Sequence, residues 1–416
     1  MYPSVSARAA VALALLCIAR PATAQAPGDD SAAAAERARL EAELAAELAA
    51  TQPPQPAPAP RASLPLDLSA VGTFVASWFS DEPTLRLPAH EPSHRGPELQ
   101  EIELALRSNI DPWFRGDLFL ALSLGGIEVE EAYVTTLALP FGLQLRGGSF
   151  YAPFGRFNQQ HFLEVTPFAD IPLPNRRLFG GEQLRGLGAE VSLLLPLPFY
   201  AELRAASITA GNELSFGVPA AAIDGLRDLL AVGRLLTSFD PTERLTLNLG
   251  LSAANGPNAA GGFLVTDENR TDLFGADLYL RLRDASSVAW TALQAEAIFR
   301  RATVPGGRLE QGGVYAWLSR RFDRHWEAAF RWDLLAGGEA IGDPHVDDAE
   351  LARFLAPAHQ QRIGASVSRW FSEYSRLRLQ ANRDFGLETE GAAGAAVTEV
   401  FLQFQFAMGA HGAHPF

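Results

Sequence analysis

The chain predicts an all-β membrane protein, a closed antiparallel transmembrane β-barrel of about 16 strands with a short N-terminal periplasmic helix and a Pro-rich linker. Three observations lead there. Apolar and polar residues alternate through most of the chain after Leu64. The connections between the alternating runs sort into short and long by parity. Mean hydropathy stays near zero, at +0.02. Alternation is the period of a strand. Sorted connections belong to a barrel with short periplasmic turns and long outside loops, and near-zero hydropathy follows when only alternate residues meet lipid.

The N-terminus sets the compartment. Residues 1–24 carry Arg8 ahead of an apolar run, Ala9–Ala19, and a small-x-small site at Ala22-Thr23-Ala24, the layout of a secretory signal peptide. The run is too short to span a bilayer. Cys17 is the single cysteine and would leave with the signal, so neither a disulfide nor a thiolate metal site is expected in the mature chain.

Residues 25–50 are rich in Ala, Glu, Leu and Arg. Leu40, Leu44 and Leu48 share one helical face, and Asp29, Asp30 and Ser31 are placed to cap it, which predicts a periplasmic helix. Residues 51–63, "TQPPQPAPAPRAS", alternate proline in a way that blocks both helix and ladder and favours a stiff, extended linker.

Residues 64–407 hold the barrel. "RLTLNLGL" sets Leu245, Leu247, Leu249 and Leu251 on one face, and "TEVFLQFQFA" does the same with Val400, Leu402, Phe404 and Phe406. Sixteen such runs are expected, beginning near Asp67, Pro97, Trp113, Ile127, Gly142, Gly186, Phe199, Asp228, Glu243, Asp272, Ser287, Leu309, His325, Gln361, Glu373 and Ala396. Links after even-numbered runs are tight, such as "NIDP", "DPT" and "FDR". Most after odd-numbered runs are long, among them Ser80–Gly96, Tyr151–Arg185 and Ala336–Gln360. Trp113, Phe114, Phe199, Tyr200, Trp326, Trp370, Phe371 and Tyr374 gather near the tight turns, as a periplasmic aromatic girdle would. Residues 408–416 form a tail whose terminal Phe416 suits recognition by the barrel assembly machinery. Both termini then fall in the periplasm of a Gram-negative cell, with the barrel in outer-membrane lipid and lipopolysaccharide.

The connection Tyr151–Arg185 is about 35 residues long, where a median of about 4–6 is usual. Pro167, Pro172 and Pro174 stiffen it. Its text, "FYAPFGRFNQQHF" then "PFADIPLPNRRLFGGEQLRGLG", resembles a segment of porin-like outer-membrane proteins related to the phosphate-selective porins. Relatives in deltaproteobacteria are sometimes labelled zinc-regulated TonB-dependent outer-membrane receptors. Pro153, Phe154, Gly155, Arg156, Asn158, His161, Pro167, Phe168, Asp170, Pro172, Asn175, Gly180 and Glu182 match that segment, whereas Gln183-Leu184-Arg185 departs from it. The resemblance implies a loop folded into the barrel as a constriction, with Arg156, Arg176, Arg177 and Arg185 bringing positive charge and Glu164, Asp170 and Glu182 negative.

Strand parity gives Arg204, Arg244, Arg281, Arg283, Arg331, Arg376 and Arg378 as lumen-lining, interleaved with Glu101, Glu103, Glu202, Asp277, Glu327 and Asp333. Arginine can hold oxyanions bidentately. Against phosphate specificity stand a lysine-poor composition and a net charge of −14. No catalytic residue, cofactor motif or nucleic-acid patch is expected. His411 and His414, or His90 and His94, fall short of the three or four ligands of a stable metal site, so none is expected. The expected function is passive diffusion of small hydrophilic solutes or ions, with a homotrimer as the expected assembly. The alternatives are a receptor or transporter for a metal or anion, and a structural barrel tethered to the periplasm. A TonB-dependent receptor would need a plug of well over 100 residues and about 22 strands.

Overall fold

The computed structural model describes residues 35–44, 66–81, 90–209, 214–216, 223, 225–258, 269–285, 288–346, 360–389 and 392–409. The expected signal peptide, the proline linker, His411, His414 and Phe416 lie outside them. The chain divides into two units, Met1–Ala62 and Ser63–Phe416. In the first, α1 covers 35–44, with Leu40 and Leu44 exposed on it.

The second unit is one antiparallel sheet closed on itself. Its strands are β1 (Asp67–Phe79), β2 (Gly96–Asn109), β3 (Phe114–Ser123), β4 (Gly126–Thr136), β5 (Leu143–Tyr151), β6 (Arg185–Leu194), β7 (Tyr200–Ile208) and β8 (Leu230–Thr242). There follow β9 (Leu245–Pro257), β10 (Arg270–Arg283), β11 (Trp290–Val304), β12 (Gly307–Arg321), β13 (Trp326–Leu335), β14 (Glu339–Gly342), β15 (Gln360–Ser372), β16 (Ser375–Thr389) and β17 (Ala392–Gly409). Each long strand pairs with its neighbour, and β1 pairs with both β2 and β17, so no edge is left open. Sixteen of these strands form the barrel. The seventeenth, β14, is a four-residue addition inside the connection Ala336–Gln360. It exists because β12 outruns β13: the first residues of β12, Gly307–Glu310, find their partners on β14 instead.

The two faces are legible strand by strand. On β16, Leu377, Leu379 and Ala381 point outward, while Arg376, Arg378, Gln380, Asn382 and Asp384 are buried inside. Aromatics near the tight turns, including Trp113, Phe199, Trp326 and Phe371, are exposed on the outside. Trp370 departs from the expected girdle. It turns inward, donates Nε1–H to Glu327 at 3.2 Å, and lies under the guanidinium groups of Arg321 and Arg376.

Two β-bulges break the period and matter below. Thr73 pairs with Glu101 and Phe74 with Leu99, leaving Gln100 as the extra residue of β2. Phe119 pairs with Glu131 and Leu120 with Val129, leaving Glu130 as the extra residue of β4. Each bulge sends two consecutive side chains inward, Gln100-Glu101 and Glu130-Glu131, all four buried.

Candidate functional site

The segment between β5 and β6 is almost wholly buried. It holds a 3-10 turn, Phe157–Gln159, then α2 (Phe162–Val165) and α3 (Leu173–Phe179). Phe154, Phe157, Phe168, Ile171 and Leu178 are fully buried. Its neck is closed from within: Ala152 N–H donates to Leu184 O at 2.8 Å, and the Asn158 amide donates to Leu184 O at 2.8 Å and accepts from Leu184 N–H at 2.7 Å.

Its partners lie on inward-facing positions all round the sheet. Gly155 N–H donates to Ser252 Oγ on β9 at 3.0 Å, and Phe157 N–H to Glu296 on β11 at 3.2 Å. Leu173 N–H donates to Asp333 on β13 at 3.0 Å, and Ala169 N–H to Gln380 on β16 at 2.7 Å. Leu163 O accepts from Gln405 on β17 at 3.0 Å, and His161 Nε2 contacts Glu131 on β4 at 3.1 Å. The wall makes room with glycine. A Cβ at Gly313 would come within 2.8 Å of Pro174, and one at Gly275 within 2.9 Å of Phe154. Gly155 itself has φ 61° and lies so close to Glu296 that a Cβ there would collide with the carboxylate.

Asp170 is the charged centre. It accepts from Arg331 at 2.8 Å, Arg362 at 2.5 Å, Gln380 at 2.5 Å and Asn382 at 3.1 Å, with Arg176 3.7 Å away. Burial favours its neutral form, but Arg331, Arg362 and Arg176 outweigh that and hold the carboxyl well below the usual carboxylate range. Arg362 is shared with Asp384 at 2.5 Å and Glu399 at 3.5 Å.

The four loop arginines named from the sequence are all engaged. Arg176 is buried and donates to Glu91 from Nε at 3.1 Å and Nη2 at 2.5 Å. Arg177 donates to Gln360 at 2.9 Å, Arg156 donates to Gln294 at 3.1 Å and covers Tyr279, and Arg185 pairs with Glu182 and Glu128. Glu164 is half-buried on α2. Of the strand arginines, Arg331, Arg376 and Arg378 are buried against this loop, Arg376 donating to Leu163 O and Arg378 to Thr166 O. Arg204 pairs with Glu190 at 2.8 Å, and Arg281 covers Trp290. Arg244 lies exposed in the β8–β9 turn rather than along a strand, and Arg283 is exposed at the end of β10, donating to Glu243 O.

A second cluster joins Glu101 and Glu103, which parity set inward, to residues it did not name. His161 Nδ1 lies 3.0 Å from Glu103 and 3.5 Å from Glu130, while His90 contacts Glu101, sits 3.5 Å from Glu130 and 3.7 Å from Glu182. Burial alone would lower the His161 pKa, but Glu103, Glu130 and Glu131 raise it well above the ordinary histidine value. The β4 bulge turns Glu130 and Glu131 inward together, a pair that strict alternation does not give.

No family model matches the chain. An uncharacterized protein of Aquifex aeolicus (strain VF5) is 32% identical over 400 residues, covering 87% of this chain and 81% of that protein. Among solved structures, the outer membrane channel DcaP of Acinetobacter baumannii has a TM-score of 0.55 at 11% identity, over 82% of this chain and 97% of that one. An anion-selective porin from Comamonas acidovorans has a TM-score of 0.53 at 13% identity, over 82% and 99%. OmpT of Vibrio cholerae, in its in-vitro folded trimer form, has 0.52 at 9% identity, over 82% and 99%. At these identities the likeness is one of fold.

Proposed function

We propose, for a chain that belongs to the same family as the Aquifex aeolicus protein, that it is an outer-membrane porin for small hydrophilic solutes or ions, with residues 151–185 as its inward-folded constriction. The observation that carries this is the distribution of one loop's hydrogen bonds over β4, β9, β11, β13, β16 and β17. A segment that reaches opposite stretches of a closed sheet crosses its interior, where it narrows any water path. The barrel likeness to a channel and a porin supports the same reading. A Gram-negative outer membrane with its lipopolysaccharide, a homotrimer, a cleaved signal, a periplasmic helix at 25–50 and engagement of the assembly machinery through Phe416 belong to this proposal.

Near the tight turns the lumen supports a preference for anions. Arg107 and Arg115 flank Asp117 at 2.5 and 2.9 Å, and Arg146 and Arg204 both pair with Glu190 at 2.8 Å. In each trio the carboxylate is buried while the two arginines keep between 15% and 33% of their side chains exposed. Two guanidinium groups against one carboxylate leave a positive excess, and it is the positive partner that meets solvent. Phosphate specificity, as in the resembled porins, is a narrower version of this preference.

Planar-bilayer recording in a salt gradient tests both parts. The wild type should form ion-conducting channels whose reversal potential favours anions, and Arg146→Ala/Arg204→Ala should move it toward cations. A purified, heat-modifiable barrel that never conducts would sink the porin reading; conduction with no such move would sink the anion preference alone.

A further inference from the structure

The loop, β2 and β4 bring together a group that the conduction path does not need. Glu103 from β2, Glu130 from the β4 bulge and His161 from the loop are each more than nine-tenths buried. His161 Nε2 meets the Glu131 carboxylate at 3.1 Å, which fixes the ring with Nε2–H donating and turns Nδ1 toward Glu103 and Glu130. Nδ1 faces two carboxylates, so only a positive charge fits between them: the ring's own proton, or a cation in its place. Glu103 Oε1 and Glu130 Oε2 have no hydrogen-bond partner although both are enclosed. Among the described residues the neighbourhood is rich in carboxylates: Glu101, Glu103, Glu128, Glu130, Glu131 and Glu182 face Arg185, Arg146 beside Glu131, and two histidines.

From this geometry we propose that Glu103, Glu130 and His161 form a binding site for one divalent first-row transition-metal ion. The spacing is within reach of an ion. A tetrahedral ion with ligand bonds of about 2.0–2.2 Å sets its ligand atoms about 3.3–3.6 Å apart; His161 Nδ1 lies 3.5 Å from Glu130 Oε2 and 3.0 Å from Glu103 Oε2, the latter opening by about 0.3 Å to admit it. One imidazole and two carboxylates suit zinc, cobalt or iron(II) better than calcium or magnesium, which take oxygen alone. Glu131 behind His161 is the outer carboxylate that a metal-bound histidine ordinarily has, and Tyr151 O–H donates to Glu130 Oε1 at 3.1 Å, steadying the shared ligand. Entry runs past Glu182, which is 42% exposed, and His90, 3.5 Å from the far oxygen of Glu130. The site is independent of the porin reading, because its test reads bound metal and not current.

The full chain, purified in detergent and stripped with a chelator, is titrated with Zn2+ and Co2+, and with Ca2+ as a hard-cation control. One equivalent of Zn2+ should bind, Co2+ should compete, and Ca2+ should not. Glu130→Gln and His161→Asn should each weaken Zn2+ binding at least ~100-fold, and Glu131→Gln about 10–100-fold. The proposal is overturned if the wild type binds no Zn2+ saturably, if folded Glu130→Gln binds with unchanged affinity, or if the bound equivalent disappears on replacing His411 and His414 instead. Should Glu130→Gln not give a heat-modifiable barrel, Glu103→Gln is read in its place. Should neither fold, the wild-type Co2+ absorption spectrum decides: protein-ligand bands support the site, and the spectrum of the hydrated ion overturns it.

Discussion

Asp170 and Arg331, 161 positions apart in sequence, meet at 2.8 Å in a pocket where both side chains are wholly buried. This pair is what turns a long connection into a fixture of the barrel. Removing one member of a buried, hydrogen-bonded ion pair leaves the other charge uncompensated, at a cost on the order of 3–5 kcal/mol. Asp170→Asn leaves Arg331 and Arg362 facing an uncharged amide. The barrel should still close and remain heat-modifiable, because no strand pairing is touched, while single-channel conductance rises and becomes noisy. Traces identical to wild type would mean the loop is held without this carboxylate.

The same pair sets an acid limit. The Asp170 carboxyl is held below its ordinary value, so its stabilising contribution is complete above the unfolded pKa of about 3.9 and declines as pH falls from there through the folded value. Conductance noise in the wild type should stay level from neutral pH down to about pH 4. Noise already rising at pH 5.5 would assign the acid sensitivity to some other group.

Arg176 holds the loop more than it faces a solute. Both its Nε and Nη2 donate to Glu91, and Asp170 is near. Arg176→Ala should therefore enlarge and destabilise the open level with little change in reversal potential, in contrast to the Arg146 and Arg204 pair. A clear shift toward cation preference, at unchanged conductance, would restore Arg176 to the permeation path.

The wall glycines give a prediction that leaves every charge in place. Gly313→Val and Gly275→Val each push a side chain into Pro174 or Phe154. Overpacking of this kind costs about 1–3 kcal/mol, and the loop should yield before the hydrogen-bonded strands do. Protease cleavage within 152–184 should become detectable in folded barrels of both variants. Resistance equal to wild type would show that the sheet, not the loop, had given way.

The barrel was legible because period two survives in almost every strand, and the parity of the connections made its strand count readable. β14 was not, since four residues carry no readable period and it forms only to satisfy the overhang of β12. The motif residues of the loop were legible as a string, but their work was not. That Asn158 closes the neck and that Gly155 rests on Glu296 depends on what the opposite wall presents. The carboxylate cluster was legible only in part: parity set Glu101 and Glu103 inward, but the bulges at Gln100 and Glu130 turn two adjacent side chains to one face, where strict alternation sends one of each pair outward. Consecutive acidic residues in "EVEEAY", where a strand facing lipid tolerates none, were the signal available. The arginines were placed in the lumen by parity, yet pairing decides which of them a solute meets, and pairing is a property of neighbouring strands.

The spread of the loop's anchors has a consequence in time. Residues 152–184 leave the ribosome before most of the wall they bind, and their partners reach as far as Gln405 on β17. No partly assembled sheet can offer that full set, and contacts so distant in sequence repay their closure entropy late. The loop is therefore expected to dock fully only after the last seam, β1 against β17, has closed, because its anchor Gln405 lies on β17, whereas the two arginines of Asp170, on β13 and β15, come earlier. A cysteine at Ala169, fully buried in the finished molecule, would react freely with a thiol reagent until that last seam closes, and protection arriving before it would reverse the order.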